Sequence, residues 1–281
     1  MPLLRVGRRA SGTETCYYGS SRLAFRGPRR DLSGRFVALL GGSETYGRGV
    51  SRPFPDLLEG HLGLNCVNLG WPNAGVDVMY SDPMLVRIAS KAALTVLQVP
   101  GAVNMTTRFY KVHPRRNDRV IAVRAPLRRL YGDVDFTQFA FTRHLLAHLR
   151  AVSPERFLQI QSEAAAVWTQ VMRRLLERIE GPVVLLWFSD RAPNRHCDDP
   201  CLMNEPSLVS ADMLEMIATR SCAVVACPTG TTAQPRPGLT ALAERLVFGP
   251  PDRALRLLPG PQAHENAADA LAPILGRHLY T

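Results

Sequence analysis

From residue 36 onward the chain alternates short, strand-like apolar runs with longer stretches of helical period, and that rhythm leaves few folds open. The runs are 36–40, 66–69, 94–99, 183–188 and 223–227. Between them lie segments with apolar residues three or four apart, which read as helices. Strands separated by helices argue for βαβ units and a parallel sheet. The expected fold class is therefore α/β. Helices are expected over 54–62 and 76–90. A long one is capped by Ser153, with Pro154 in its first turn and Gly181-Pro182 at its end. Ser210 caps another that reaches Thr219. Two more are expected near 239–246 and over 267–276, with His264 just ahead of the last.

Two segments interrupt this order. Residues 1–33 carry Gly, Ser and Arg without clear period and read as an amino-terminal arm, leaving 34–281 as a single domain. Residues 105–152 break the rhythm again. Arg108, Arg115, Arg116, Arg119, Arg124, Arg128 and Arg129 fall there among Phe109, Tyr110 and Tyr131. This stretch reads as a basic insertion, a lid over the strand ends.

The first run ends in Gly41-Gly42-Ser43-Glu44-Thr45-Tyr46-Gly47. A strand ending in small residues delivers a hydroxyl to the carboxyl edge of the sheet, where ligands of open α/β sheets bind. Ser43 is thus a candidate nucleophile, and its own N–H a candidate donor to an oxyanion. A serine needs a base, usually histidine. His264 follows a Pro/Gly loop and opens the last helix, from which it reaches back over the sheet edge. Gly70, after the second run, offers a backbone N–H, and Asn104, after the third, offers an amide. Each is also an ordinary turn residue; together they end three successive strands.

These residues resemble the blocks of the SGNH/GDSL hydrolase superfamily. The first block of that family commonly reads GDS-x-T-Y-G, and 41–47 matches it except that Gly42 stands for the aspartate. Gly70 corresponds to the second block, Gly101 and Asn104 to the third. The stretch Pro261-Gln262-Ala263-His264 corresponds to the final D-x-x-H, with proline for the acid. The chain also resembles uncharacterised bacterial proteins of that type, through the Tyr-x-Gly-x-Ser-Arg and Phe-Arg-Gly-Pro stretches at 18–28. The resemblance implies a flavodoxin-like three-layer α/β/α sandwich. It implies acyl-ester hydrolysis or acyl transfer by Ser43 and His264, with Ser43, Gly70 and Asn104 holding the oxyanion. Glu265 and Asp190 are available carboxylates for the missing acid. The alternative is a catalytically degenerate protein of this fold that binds an anionic glycan or lipid head group.

Lys and Arg number 34 against 24 Asp and Glu, a net charge of +10. A basic surface attracts anions, so the expected partner is a small-molecule, glycan or lipid acyl ester, with an anionic one bound through Arg108, Arg115 and Arg116. No nucleic-acid-binding signature accompanies the arginines. The stretch 42–49 lacks the lysine and hydroxyl of a phosphate-binding loop, and no cofactor is expected. His196, Cys197, Cys201, Cys222 and Cys227 match no zinc spacing, so no metal is expected. No apolar run is long enough for a membrane span, and the amino terminus lacks a secretory h-region. A cytoplasmic location is the expectation.

Overall fold

The computed structural model describes residues 7–8, 14–193, 202, 205–229 and 258–280. Its centre is a five-stranded sheet of β4 (Phe36–Gly41), β5 (Asn65–Gly70), β6 (Leu94–Gln98), β9 (Val183–Phe188) and β10 (Ala223–Cys227). The spatial order is β10-β9-β6-β4-β5, and every pairing is parallel. All five runs read from the sequence are strands of this sheet. The order reverses between β4 and β6, where the chain first goes outward to β5 and then crosses back. In open α/β sheets that reversal opens a crevice at the carboxyl edge, and Ser43 stands directly after β4.

Successive side chains of a strand point to opposite faces, and here they feed two cores. Ala38, Leu40, Val67, Leu69, Leu97, Leu185 and Trp187 pack under α3 (Val76–Ser81), α4 (Pro83–Lys91), α7 (Pro154–Arg178) and α8 (Ala211–Ala218). Val37, Leu39, Val96, Val184, Leu186 and Phe188 pack under α2 (Phe54–Leu62) and α9 (Pro261–Tyr280). The result is a three-layer α/β/α sandwich. Trp168 of α7 is fully buried, and its indole N–H donates to the Pro100 carbonyl (2.9 Å) just past β6.

Local chemistry moved two boundaries. The helix expected over 76–90 is two, because Asp82 caps a fresh start at Pro83, accepting the N–H of Met84 (2.9 Å). Asp82 is itself held by the Ser21 hydroxyl (2.7 Å). The last helix begins at Pro261 rather than after His264, since proline suits the first turn. Ser153 caps α7 as expected, accepting from Arg156 N–H (3.2 Å), and a separate α6 (Thr142–Val152) runs up to it. The helix expected near 239–246 lies outside the described residues.

The segment read as an arm is part of the body from Glu14 onward. Strands β1 (Gly7–Arg8), β2 (Glu14–Cys16) and β3 (Phe25–Arg26) form a small antiparallel sheet, and Tyr18, Leu23 and Phe25 join the main core. Arg26 is only 8% exposed. Its guanidinium donates to the carbonyls of Gly47 (2.9 Å), Val50 (2.9 Å) and Ser51 (2.7 Å), and more distantly to Tyr46. It therefore fastens the loop that follows Ser43.

The insertion is not a coreless lid. It folds as a hairpin, β7 (Tyr110–His113) and β8 (Arg116–Val123), then α5 (Ala125–Leu130), a 3₁₀ turn at Phe136–Gln138, and α6. Tyr110, Leu127, Tyr131, Leu145 and Leu149 are fully buried in the same core as the sheet. Several of the arginines stack on rings of the insertion or its neighbour: Arg119 on Phe141, Arg128 on Phe136, and Arg156 of α7 on Tyr131. Such stacking gives them a structural use besides anion attraction. Among the described residues no helix is long and apolar enough to cross a membrane.

Candidate active site

Ser43 begins a single helical turn, α1 (Ser43–Tyr46). The turn is held from the neighbouring strand by Gln98, the last residue of β6. The Gln98 side-chain oxygen accepts from Gly42 N–H (3.0 Å), Thr45 N–H (3.2 Å) and the Thr45 hydroxyl (2.6 Å). Its nitrogen donates to the buried Glu44 carboxylate (2.9 Å). One amide oxygen thus gathers two backbone N–H groups that the helix start leaves unpaired and one hydroxyl. Glu44 points to Gln98 through this bond, which accounts for an acid beside the serine. Gly41 has no room for a side chain, because a Cβ there would collide with Thr45 and Gln98.

The Ser43 hydroxyl is engaged by Asn73, in the turn after β5. Asn73 N–H donates to Ser43 Oγ (2.9 Å), and Ser43 Oγ–H donates to Asn73 Oδ1 (3.2 Å). Asn73 adopts a left-handed conformation (φ 58°), which asparagine tolerates better than most residues. That turn aims its N–H at the serine. The Ser43 N–H donates to no group among the described residues.

Asn104 is buried beside this pair. Its amide donates to the Asn73 carbonyl (3.4 Å), and its oxygen accepts from the Thr142 hydroxyl (2.6 Å). Gly75 lets the two loops meet, since a Cβ there would run into the Asn104 backbone. Gly75→Ala is expected to cost about 3 kcal/mol or more through this clash, read as a lowered urea midpoint.

Gly70 does not offer its N–H to this crevice: the N–H goes to the Asn68 side chain (3.0 Å). The donor after β5 is Asn73 instead. The sequence hint was present in Trp71-Pro72-Asn73-Ala74-Gly75, a dense turn signal in which Asn suits positive φ.

The insertion contributes Asp118, which no sequence signal marked. Its carboxylate accepts from Asn73 Nδ2 (3.1 Å). Burial pushes this carboxyl above the usual range, opposed by Arg119 and Arg116. Next to it the fully buried Asn117 accepts the N–H of Gly75 (3.0 Å) and Val78 (3.2 Å), pinning the hairpin to the start of α3.

His264 is 1% exposed in the first turn of α9. It stacks on Phe54 (5.9 Å, 17°) and meets Phe188, the last residue of β9, edge to face (5.6 Å). It therefore also sits toward the carboxyl edge of the sheet. Its Nδ1 accepts the Phe54 N–H (3.1 Å). A neutral imidazole has one acceptor and one donor nitrogen, so the proton is on Nε2. No hydrogen bond joins it to Ser43.

The arginines expected to bind substrate separate into two groups. Arg108 pairs with Glu163 of α7 (3.3 Å) and lies over Phe109. Arg115 and Arg116 are exposed at the hairpin turn, and the Arg115 carbonyl takes the Trp71 indole N–H (2.6 Å). Their guanidinium groups make no hydrogen bond among the described residues. His196, Cys197 and Cys201 lie outside the described residues; Cys222 is exposed and Cys227 buried.

A second acid near the site has a consequence for stability. Asp77 of α3 accepts Thr106 N–H (2.7 Å), yet burial pushes its carboxyl up. A raised carboxyl binds its proton more tightly when folded, so its contribution is full below the ordinary value of about 4 and is lost as pH rises through the raised one. Asp77→Asn is expected to flatten the fall in stability as pH rises above about 4, measured by urea denaturation at each pH.

A family model described as a domain of unknown function, DUF6473, matches residues 1–279. The chain belongs to the DUF6473 family. No curated protein matches it in sequence. Among solved structures it is similar to a carbohydrate acetylesterase family member from Sinorhizobium meliloti, at 10% identity and TM-score 0.43, over 88% of this chain and 100% of that one. It is similar to a lipase from a goat rumen metagenome, at 12% identity and TM-score 0.42, over 85% and 97%. A variant of an acetylxylan esterase from Geobacillus stearothermophilus gives 14% identity and TM-score 0.40, over 89% and 95%. At these values the functional reading rests on the residues of the site and not on the likenesses.

Proposed function

We propose that the chain is a serine hydrolase of acyl esters, of SGNH type, with Ser43 as nucleophile. One observation carries the reading. At the strand-order reversal, a hydroxyl stands at the end of β4 with the Asn73 N–H 2.9 Å from its oxygen. In the reaction Ser43 Oγ bonds to the acyl carbon, and the carbonyl electron pair moves onto oxygen. The N–H groups of Ser43 and Asn73 and the Asn104 amide are the candidate donors to that oxyanion. His264 is the candidate base. To serve, its Nδ1 must release the Phe54 N–H and take a proton, so that Nε2 accepts from Ser43. The alcohol leaves with that proton, and water completes hydrolysis; an alcohol in place of water gives acyl transfer. Without an acid at Pro261 to favour this tautomer, turnover is expected to be slow. Arg115 and Arg116 suit an anionic group on a small or glycan ester.

A second reading, binding of an anionic glycan or lipid head group without turnover, is favoured by the same imidazole. Its acceptor nitrogen is occupied by the Phe54 N–H, and it makes no hydrogen bond to Ser43. Covalent labelling by a fluorophosphonate separates the two. Modification of Ser43, located by peptide mass spectrometry and slowed about tenfold or more by His264→Gln, supports the hydrolase. A folded wild type that stays unlabelled supports binding.

A further inference from the structure

We propose that Asp118 is a positioning residue for the Ser43 hydroxyl, acting through the side chain of Asn73. This rests on the reading of Ser43 as the reacting group. The logic is donor against acceptor. An asparagine amide has an oxygen end that accepts and a nitrogen end that donates, and a half-turn exchanges them. An ionised carboxylate only accepts. Asp118 lies 3.1 Å from Asn73 Nδ2 and so selects the nitrogen end. The oxygen end must then face Ser43, 3.2 Å away, where the hydroxyl proton is donated to it. With its proton resting on that oxygen until the imidazole takes it, and one N–H from the Asn73 backbone, the serine oxygen keeps a lone pair for attack.

Deleting the carboxylate frees the amide to turn. Its nitrogen would then face Ser43 Oγ, which would receive a second N–H and be a poorer nucleophile. The hairpin is held for this task independently of Asp118. Asn117 is tied to Gly75 and Val78, and the Thr142 hydroxyl leans on the Asp118 carbonyl (3.4 Å) as well as on Asn104. The charged groups acting on Asp118 are Arg116 and Arg119 of its own strand. The basic insertion thus reaches the serine through an acid, and its hairpin is part of the site.

The test combines labelling with NMR on four proteins: wild type, Asp118→Ala, Asn73→Gly and the double variant. Glycine keeps the left-handed backbone and its N–H while removing only the amide. Asp118→Ala is expected to slow fluorophosphonate labelling of Ser43 about tenfold, Asn73→Gly by a similar factor, and the pair no further. Asp118→Asn, whose oxygen still accepts, is expected to recover most of the rate. In parallel, the Asn73 backbone amide resonance, which reports its bond to Ser43 Oγ, is expected to shift in Asp118→Ala. If Asp118→Ala and Asn73→Gly multiply, or the Asn73 resonance stays put, the proposal is overturned. If the wild type never labels but the resonance shifts, the positioning stands and the hydrolase reading falls. Should Asp118→Ala fail to fold, Asp118→Leu, which fills the same space without an acceptor, takes its place in the cycle.

Discussion

Ester hydrolysis by the Ser43→Ala variant is expected to fall at least about a thousandfold below wild type, with little change in stability. The hydroxyl is the only group proposed to form a bond to the acyl carbon, so no neighbour replaces it. Glu44 is nearest in sequence, but its carboxylate is held by Gln98. The stability change is small because only the two contacts with Asn73 are lost, and Asn73 is half-buried, within reach of water. That cost is about 1 kcal/mol, a melting shift of a few degrees. The measurement is p-nitrophenyl acetate hydrolysis beside a thermal melt. A variant that keeps the wild-type rate removes Ser43 from the chemistry.

Arg26→Ala is expected to be the most destabilising single change outside the hydrophobic core, by about 3–5 kcal/mol. Arginine 26 lies at the end of a two-residue strand and gathers the carbonyls of residues 46, 47, 50 and 51, which no helix or strand satisfies. It also faces Asp56 of α2 at 4.0 Å, whose carboxyl burial pushes up. Truncation leaves the Val50 and Ser51 carbonyls without this donor, Gly47 with only the Val50 N–H, and Asp56 with Arg30 (3.9 Å) as its remaining ion-pair partner. Arg26→Lys is expected to recover only part of the loss, since an ammonium cannot span two pairs of carbonyls as a planar fork does. Urea denaturation of the two variants reads this directly; equal stability of wild type and Arg26→Ala contradicts it. Because the same loop follows Ser43, ester hydrolysis is expected to decline along with stability.

Much of the sheet was legible in the sequence, because strand formation is signalled by short apolar runs, three of them unbroken and the other two interrupted only by Asn68, Thr95 and Gln98. The position of Ser43 was legible for the same reason: a strand end is a local feature. The division at Asp82-Pro83 was written in residues of known capping habit but was masked by apolar period on both sides. His264 was legible as a residue near the sheet edge. Its partner was not, because the Phe54 N–H lies 210 residues away in the chain and carries no side-chain signature.

By itself, then, the order of residues determined the α/β class, the five parallel strands and the hydroxyl at the end of the first of them. Periodicity and turn chemistry act over a few residues, and those features need nothing more. Which N–H faces that hydroxyl, which end of the Asn73 amide it meets, and that Asp118 from a distant hairpin sets this choice were decided only by tertiary structure. Hydrogen-bond direction depends on groups brought together by packing, and packing joins residues 43, 73, 104 and 118 without leaving any shared pattern along the chain.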